Sequence, residues 1–307
     1  MTKPSIQKQW NVSQIPNLAG LTAIVTGSNS GLGFETAKAL FANDAEVIIA
    51  CRNTQKGTEA LQQITAAHPN KNSSKIRVMQ LDLANLQSVK TFAKEVAASH
   101  SKIDLLVNNA GVMIPPKSFT NDGFESQFGT NHLGHFALTG LLLPLLEKSD
   151  YARIVVVSSL ANRFGKIRFK NLNAEKFYIK WDAYGQSKLA NIVFANELQK
   201  RLKAKGSHIK VATVHPGFSS TNLQRYLPGA SLINPLFSQS QDMGALPSLF
   251  AATHSDIMGG EYIGPSKLFE TRGYPAPAKT PRTAKNAKTA SQLWDKSVEF
   301  TGINYLN

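Results

Sequence analysis

Tyr184 and Lys188 put a phenol and an ammonium four residues apart, at the start of a stretch with helical patterning from Ala183 to Lys205. On a helix that spacing sets both side chains on one face. An ammonium about 4 Å from a phenol oxygen, at an effective dielectric near 20, favours the phenolate by roughly 4 kcal/mol before desolvation is counted. The pair therefore predicts a tyrosine able to exchange protons near neutrality. An ordinary surface pair has the same spacing, so other residues must decide between the two. A second group is the run Thr26, Gly27, Ser28, Asn29, Ser30, Gly31, Leu32, Gly33. Glycines at such positions permit a tight turn and close backbone approach to a diphosphate, and a helix N-terminus behind them supplies N–H donors.

Both groups need a scaffold. Short apolar runs at Ala23 to Thr26, Val47 to Ala50, Ile76 to Leu81, Leu105 to Asn108, Ile154 to Val157 and Val211 to Val214 predict buried strands. Helical patterning fills the intervals near Gly33 to Asn43, Thr54 to Ala67, Leu86 to Ser99, Gly123 to Leu146 and Ala183 to Lys205. This alternation predicts an α/β, doubly wound parallel sheet of the Rossmann kind, three layers deep (α/β/α). No repeat or linker divides the chain, so residues 1–307 are expected to form a single domain. Two long connections, Leu160 to Asp182 and Pro216 to Met243, leave carboxyl ends of strands, where α/β ligands bind. The second is the expected substrate loop, near 217–243. The extension near 265–307 reads as a proline-rich loop leading to a helix at Ala290 to Phe300.

The glycine turn follows the first strand directly and opens a helix, which favours dinucleotide binding. The second strand ends Ile49, Ala50, Cys51, Arg52, Asn53, with no carboxylate to hold a ribose diol. Arg52 can grip a 2′-phosphate with its bidentate fork, helped by Ser28 and Asn29, and Asn53 beside it is counted among the cofactor-binding residues. NADP(H) is thus expected over NAD(H), although NAD(H) stays possible and Arg52 can also be read as a surface residue.

The chain has a formal net charge of +14 and one cysteine, Cys51. One cysteine excludes an intrachain disulfide framework and makes a structural zinc site improbable. The charge raises the question of nucleic acid, anionic membranes or phosphorylated ligands. Cations gather at Arg163, Lys166, Arg168, Lys170, Lys176 and Lys180, but no nucleic-acid-binding signature accompanies them. No apolar run approaches the ~20 residues that span a bilayer, and Met1 to Asn11 carry no apolar signal core. A cytoplasmic setting is expected.

Taken together, these residues resemble the short-chain dehydrogenase/reductase family over nearly the whole chain. The glycine turn resembles its Thr-Gly-x-x-x-Gly-x-Gly signature, Asp82-Leu83 its adenine-side acid, Asn108-Asn109-Ala110-Gly111 its Asn-Asn-Ala-Gly motif, and Tyr184 with Lys188 its Tyr-x-x-x-Lys. The resemblance implies that Tyr184 passes a proton to or from the substrate oxygen. Lys188 would lower the phenol's pKa and bind the nicotinamide ribose, and Ser159 would hydrogen-bond the substrate oxygen. Asn131 would hold a water linking Lys188 to solvent. Ser158, Ser159 and Asn131 can each also be read as structural, as strand-end caps and a buried polar residue satisfying backbone groups. Pro216, Gly217 and Thr221 resemble Pro-Gly-x-x-x-Thr, whose threonine contacts the carboxamide, while His215 is read as structural. His132 and His135 lie one helical turn apart without a carboxylate or cysteine to complete a metal site.

The long span between Ser159 and Tyr184, with Phe164, Phe169, Phe177, Tyr178 and Trp181, resembles the retinol dehydrogenase and protochlorophyllide reductase-like branch. Trp10 to Gly20 and Gly259 to Pro265 do so as well. The resemblance implies an oxidoreductase interconverting a lipophilic aldehyde or ketone and an alcohol. The competing reading is a dinucleotide-binding sensor or scaffold without turnover, to be told apart by whether Asn131, Ser159, Tyr184 and Lys188 form a working site. By analogy with the family, a homodimer or homotetramer would form through the Gly123 to Leu146 and Ala183 to Lys205 helices.

Overall fold

Along β1 (Thr22–Thr26), Ala23 and Val25 enter one apolar layer while Ile24 enters the layer on the opposite side. A strand covered on both faces must be apolar at every position, which is why these runs read as continuous rather than alternating. The computed structural model describes residues 9–219 and 239–307. In chain order, β1 is followed by α1 (Gly31–Ala42), β2 (Glu46–Cys51), α2 (Thr54–Ala67), β3 (Ile76–Gln80), α3 (Leu86–Ser99) and β4 (Leu105–Asn108). Then come α4 (Ser126–Phe128), α5 (Gly134–Leu146), β5 (Arg153–Val157), α6 (Lys180–Ala204), β6 (Lys210–Val214), α7 (Gln241–Thr253), β7 (Tyr262–Lys267), β8 (Arg272–Pro277) and α8 (Ala287–Thr301).

The sheet order is β3-β2-β1-β4-β5-β6-β7-β8, parallel through β7 and antiparallel at β8. Residues of α1, α2 and α7 join one core layer and residues of α3, α5 and α6 the other, giving a single-domain α/β/α sandwich. β1 pairs with both β2 and β4, so the winding direction reverses there and a crevice opens at the carboxyl ends of the strands. No helix among the described residues is long and apolar enough to cross a membrane.

The six expected strands are present; α7, β7 and β8 were not anticipated. Pro247 lies inside α7, and β7 and β8 carry Gly264, Pro265, Pro275 and Pro277. Prolines are tolerated there because these strands lie toward one edge, where fewer backbone donors must pair. The helix expected over Gly123 to Leu146 also differs. Gly123 sits in a turn at φ +80, the Glu125 carboxylate accepts from the N–H groups of Gln127 and Phe128 to start α4, and a π-helical turn at Gly129–Leu133 interrupts the run before α5. At the other end α8 begins under the Asn286 cap and stops at Gly302, which has φ +67. Its Trp294 meets Phe136 of α5 and Phe194 of α6, with the rings 5.0 and 6.1 Å apart, so the terminal segment covers the outside of both helices.

Candidate active site

The crevice is assembled at the carboxyl ends of β1 to β6. After β1, Gly27 adopts φ +66, and a Cβ there would lie 2.9 Å from the Cβ of Ala110; a Cβ on Gly33 would lie 2.5 Å from Asn109 Nδ2. Only glycine lets the turn and the end of β4 touch. The Thr26 hydroxyl ties them together, accepting from the N–H groups of Asn109 and Ala110 at 2.9 Å each, while Asn109 Nδ2 donates to the Thr26 carbonyl. Ser30, the residue preceding α1, makes no side-chain cap bond, so first-turn N–H groups remain for another acceptor.

The opposite wall comes from β5 and α6. Ser159 Oγ accepts from Ala161 N at 3.2 Å, capping a turn, and lines the same cleft wall as the Tyr184 phenol, whose charged form it favours. Ser158 Oγ donates to the Lys188 carbonyl at 2.7 Å, the structural alternative for that residue. Lys188 Nζ donates to the Val157 carbonyl at 3.2 Å and stands 6.0 Å from the Tyr184 ring centre. The expectation of a phenol pulled toward neutrality is corrected here. Tyr184 and Lys188 are 5% and 3% exposed, and burial opposes charge on both. It pushes the phenol up to about 12, against a lowering by Ser159, and brings the ammonium down to about 8.

Between the walls lies a cleft of about 560 Å³. One end holds Arg52, Asp82 and Leu83; the middle is Gly27, Asn29, Ser30, Gly31, Leu32 and Gly33 facing Asn109, Ala110 and Gly111. Ser159, Tyr184 and Lys188 stand at the far end, with Pro216 and Gly217. Beyond them the lining turns apolar, with Met113, Leu160, Phe164, Trp181 and Phe218. The crowding of backbone around Gly27 and Gly33, beside a helix start with donors to spare, fits a dinucleotide diphosphate.

Two expected residues, Ser28 and Asn53, do other work, and Asn131 is held by the backbone beside Lys188. Ser28 is fully buried and donates to the Val25 carbonyl at 2.7 Å, so it cannot assist Arg52. Asn53 caps α2, accepting from Lys56 N, and lies outside the cleft lining. Asn131 is buried in the π-helical turn, where its side chain accepts from Val112 N and donates to the Val112 carbonyl and Ser187 Oγ. It borders the lysine at one place: a Cβ on Gly111 would lie 3.0 Å from Asn131 Oδ1 and 3.3 Å from Lys188 Nζ. Thr221 and most of the expected substrate loop lie outside the described residues. Asp82 Oδ1 accepts from Ala84 N, shaping the turn after β3.

The histidines are structural. His215 Nδ1 accepts from Gly217 N and its Nε2–H donates to Glu270, away from the cleft lining. His135 Nδ1 donates to the Asn131 carbonyl at 3.0 Å, which leaves Nε2 to accept the Thr26 O–H at 2.9 Å. That bond joins the glycine turn to the π-helical turn that carries Asn131. Reading the sequence missed it because the two residues lie 109 positions apart and no local pattern pairs them. It also missed Val112, Met113 and Thr130, which line the cleft without any chemical signature.

Residues 21–230 match the short chain dehydrogenase family. The chain is 41% identical to retinol dehydrogenase 12 of Mus musculus, over 99% of this chain and 95% of that protein. It is 36% identical to the short-chain dehydrogenase TIC 32 B, chloroplastic, of Brassica napus, over 91% and 88%. Among solved structures, an uncharacterized protein from Mycobacterium Paratuberculosis superposes with a TM-score of 0.81 at 40% identity, covering 97% of this chain and 99% of that one.

Proposed function

The chain belongs to the short-chain dehydrogenase/reductase family, and on that premise we propose that it interconverts a lipophilic aldehyde or ketone and its alcohol with NADP(H), Tyr184 moving the proton. The observation that carries this reading is the Ser159–Tyr184 hydroxyl pair on the cleft wall, with Lys188 on the same wall and glycine-lined backbone opposite. A nicotinamide held there supplies or accepts the hydride. Burial keeps the Tyr184 phenol protonated at neutral pH, ready to donate to a carbonyl oxygen as it gains charge. The Ser159 hydroxyl donates to the same oxygen. Lys188, whose pKa is lowered to about 8 by burial and which is still mostly protonated at neutral pH, offsets the negative charge left on Tyr184. Asn131 is a positioning residue, holding the Val112 backbone beside the lysine.

Arg52, exposed at the end of the cleft opposite Tyr184, is the group that would read a 2′-phosphate. Met113, Phe164, Trp181 and Phe218 favour an apolar substrate through burial worth about 25 cal/mol per Å². The relatives named retinol dehydrogenase make a long-chain, retinol-like alcohol or its aldehyde the first compounds to try. The test is oxidation of NADPH against a panel of aldehydes, ketones and quinones spanning short to polyene chains. Turnover rising with chain length is expected. A flat response at the blank rate across the panel would refute the reading.

A further inference from the structure

The turn between β7 and β8 holds its backbone in an unusual way. Leu268, Phe269 and Glu270 adopt φ of 48, 56 and 68, three successive left-handed residues, none of them glycine. L-side chains avoid that region, and such conformations persist only where surroundings enforce them. Here the enforcement comes through Glu270. Its Oε2 accepts from Arg163 Nη2 at 2.8 Å and from His215 Nε2 at 3.0 Å, its Oε1 accepts from Lys279 N at 3.1 Å, and Arg163 Nη1 donates to the Phe269 carbonyl. The result is exposure: Phe269 is 89% exposed and Leu268 51%.

Arg163 also ties this tip to the long insert after β5. Beside it, Phe164 meets Trp181 edge-on with ring centres 6.3 Å apart, and both rings line the cleft while remaining half-exposed. Ile179, at the start of α6, is 59% exposed. An apolar rim thus runs from the cleft mouth out to Phe269. Exposed cations stand along it at Arg163, Lys166, Lys180 and Lys267, in a chain of net charge +14. Of the carboxylates beside it, Asp182 accepts from Arg168 and Glu270 from Arg163 and His215, while Glu175 of the same insert is exposed among Lys170, Lys176 and Lys180.

We propose that this rim docks on an anionic lipid surface, with Leu268, Phe269 and Ile179 entering the interfacial layer and the lysines meeting the headgroups. Apolar side chains flanked by lysines are the composition that binds such surfaces, each lysine adding to the attraction. The cleft mouth then faces the bilayer, and a lipophilic aldehyde or alcohol enters without crossing water. The inference rests on the carbonyl–alcohol reading above for its benefit, though not for its test.

Co-sedimentation with sucrose-loaded phosphatidylcholine vesicles, with and without phosphatidylglycerol, reads the docking directly. The protein is expected to sediment with the anionic vesicles and at least about tenfold more weakly with the neutral ones. A triple variant Leu268→Ser, Phe269→Ser, Ile179→Ser and a second triple variant Lys166→Glu, Lys180→Glu, Lys267→Glu should each lose about tenfold in binding. None of the six residues lines the cleft, so turnover of a short water-soluble aldehyde in vesicle-free buffer should stay within about twofold of the parent. That control separates lost docking from lost folding. Absence of turnover in the parent would refute the proposed function and leave docking to be judged on sedimentation alone. A parent that ignores anionic vesicles, equal binding to both vesicle types, or an apolar-rim variant that binds like the parent would overturn the docking proposal.

Discussion

Tyr184 and Lys188 are shifted in opposite directions by one cause, since burial penalises phenolate and ammonium alike. The consequence is a phenol that begins as an acid. Tyr184→Phe is expected to retain NADPH binding, measured by fluorescence titration, and to lose about 10²–10⁴-fold in kcat. A variant within about threefold of the parent would end the assigned role. At the other end of the cleft, Arg52→Asp should move the ratio of kcat/KM for NADPH over NADH toward NADH; an unchanged ratio would mean that another group reads the phosphate. The types and order of these residues are legible in the sequence, because proton transfer and phosphate recognition tolerate few substitutes. Ser28, Asn29 and Asn53 are not separable by the same means. The small polar side chains that grip phosphate also cap helices and satisfy buried carbonyls, and only the fold turns Ser28 inward and sets Asn53 on α2 while leaving Asn29 in the cleft.

At the scale of elements, the π-helical turn Gly129–Leu133 and the start of α5 carry two fully buried histidines. Burial lowers His132 to about 3 and His135 to about 4, from an ordinary 6.5. Below pH 6.5 the unfolded chain takes up protons that the native histidines refuse. Stability present above that pH is therefore lost as the pH falls toward 4, each histidine contributing a loss of about 1.4 kcal/mol per pH unit. Thermal melts from pH 7.5 to 4.5 should show this decline. His135→Gln, which no longer titrates there, should decline less steeply; parallel curves would remove the histidine from the account. Single-element sequence patterns caught the buried helices and parallel strands, whose apolar runs are long. They missed α7, β7 and β8, because proline and glycine in an edge strand or a helix interior look like loop until a neighbouring element supplies the packing.

Across the whole molecule, the last residues close the outside of α5 and α6. Tyr305 hydroxyl donates to the Phe136 carbonyl, its ring fills the space beside Gly140, Arg201 stacks on Trp294 at 4.5 Å, and Lys205 Nζ donates to the Asn307 carbonyl. Those helices were the expected dimer faces. With them covered by the chain's own terminus, light scattering is expected to give a monomer, and a stable dimer would require another surface. Trp294→Ala should cost about 3–5 kcal/mol in denaturant unfolding, since it empties a packed aromatic cluster; a loss under about 1 kcal/mol would mean that α8 is loosely held. Sequence alone determined the doubly wound layering and the glycine turn, because hydrophobic periodicity and turn glycines are written in residue types at short spacing, while Ser159 was singled out beside Tyr184 and Lys188 by family resemblance. The tertiary structure alone decided the burial that opposes charge on Tyr184 and Lys188, the Thr26–His135–Asn131 connection, the strained and exposed Phe269 tip and the covered faces of α5 and α6. Burial, hydrogen-bond partnership and exposure are properties of residues far apart in the chain, and no local pattern records them.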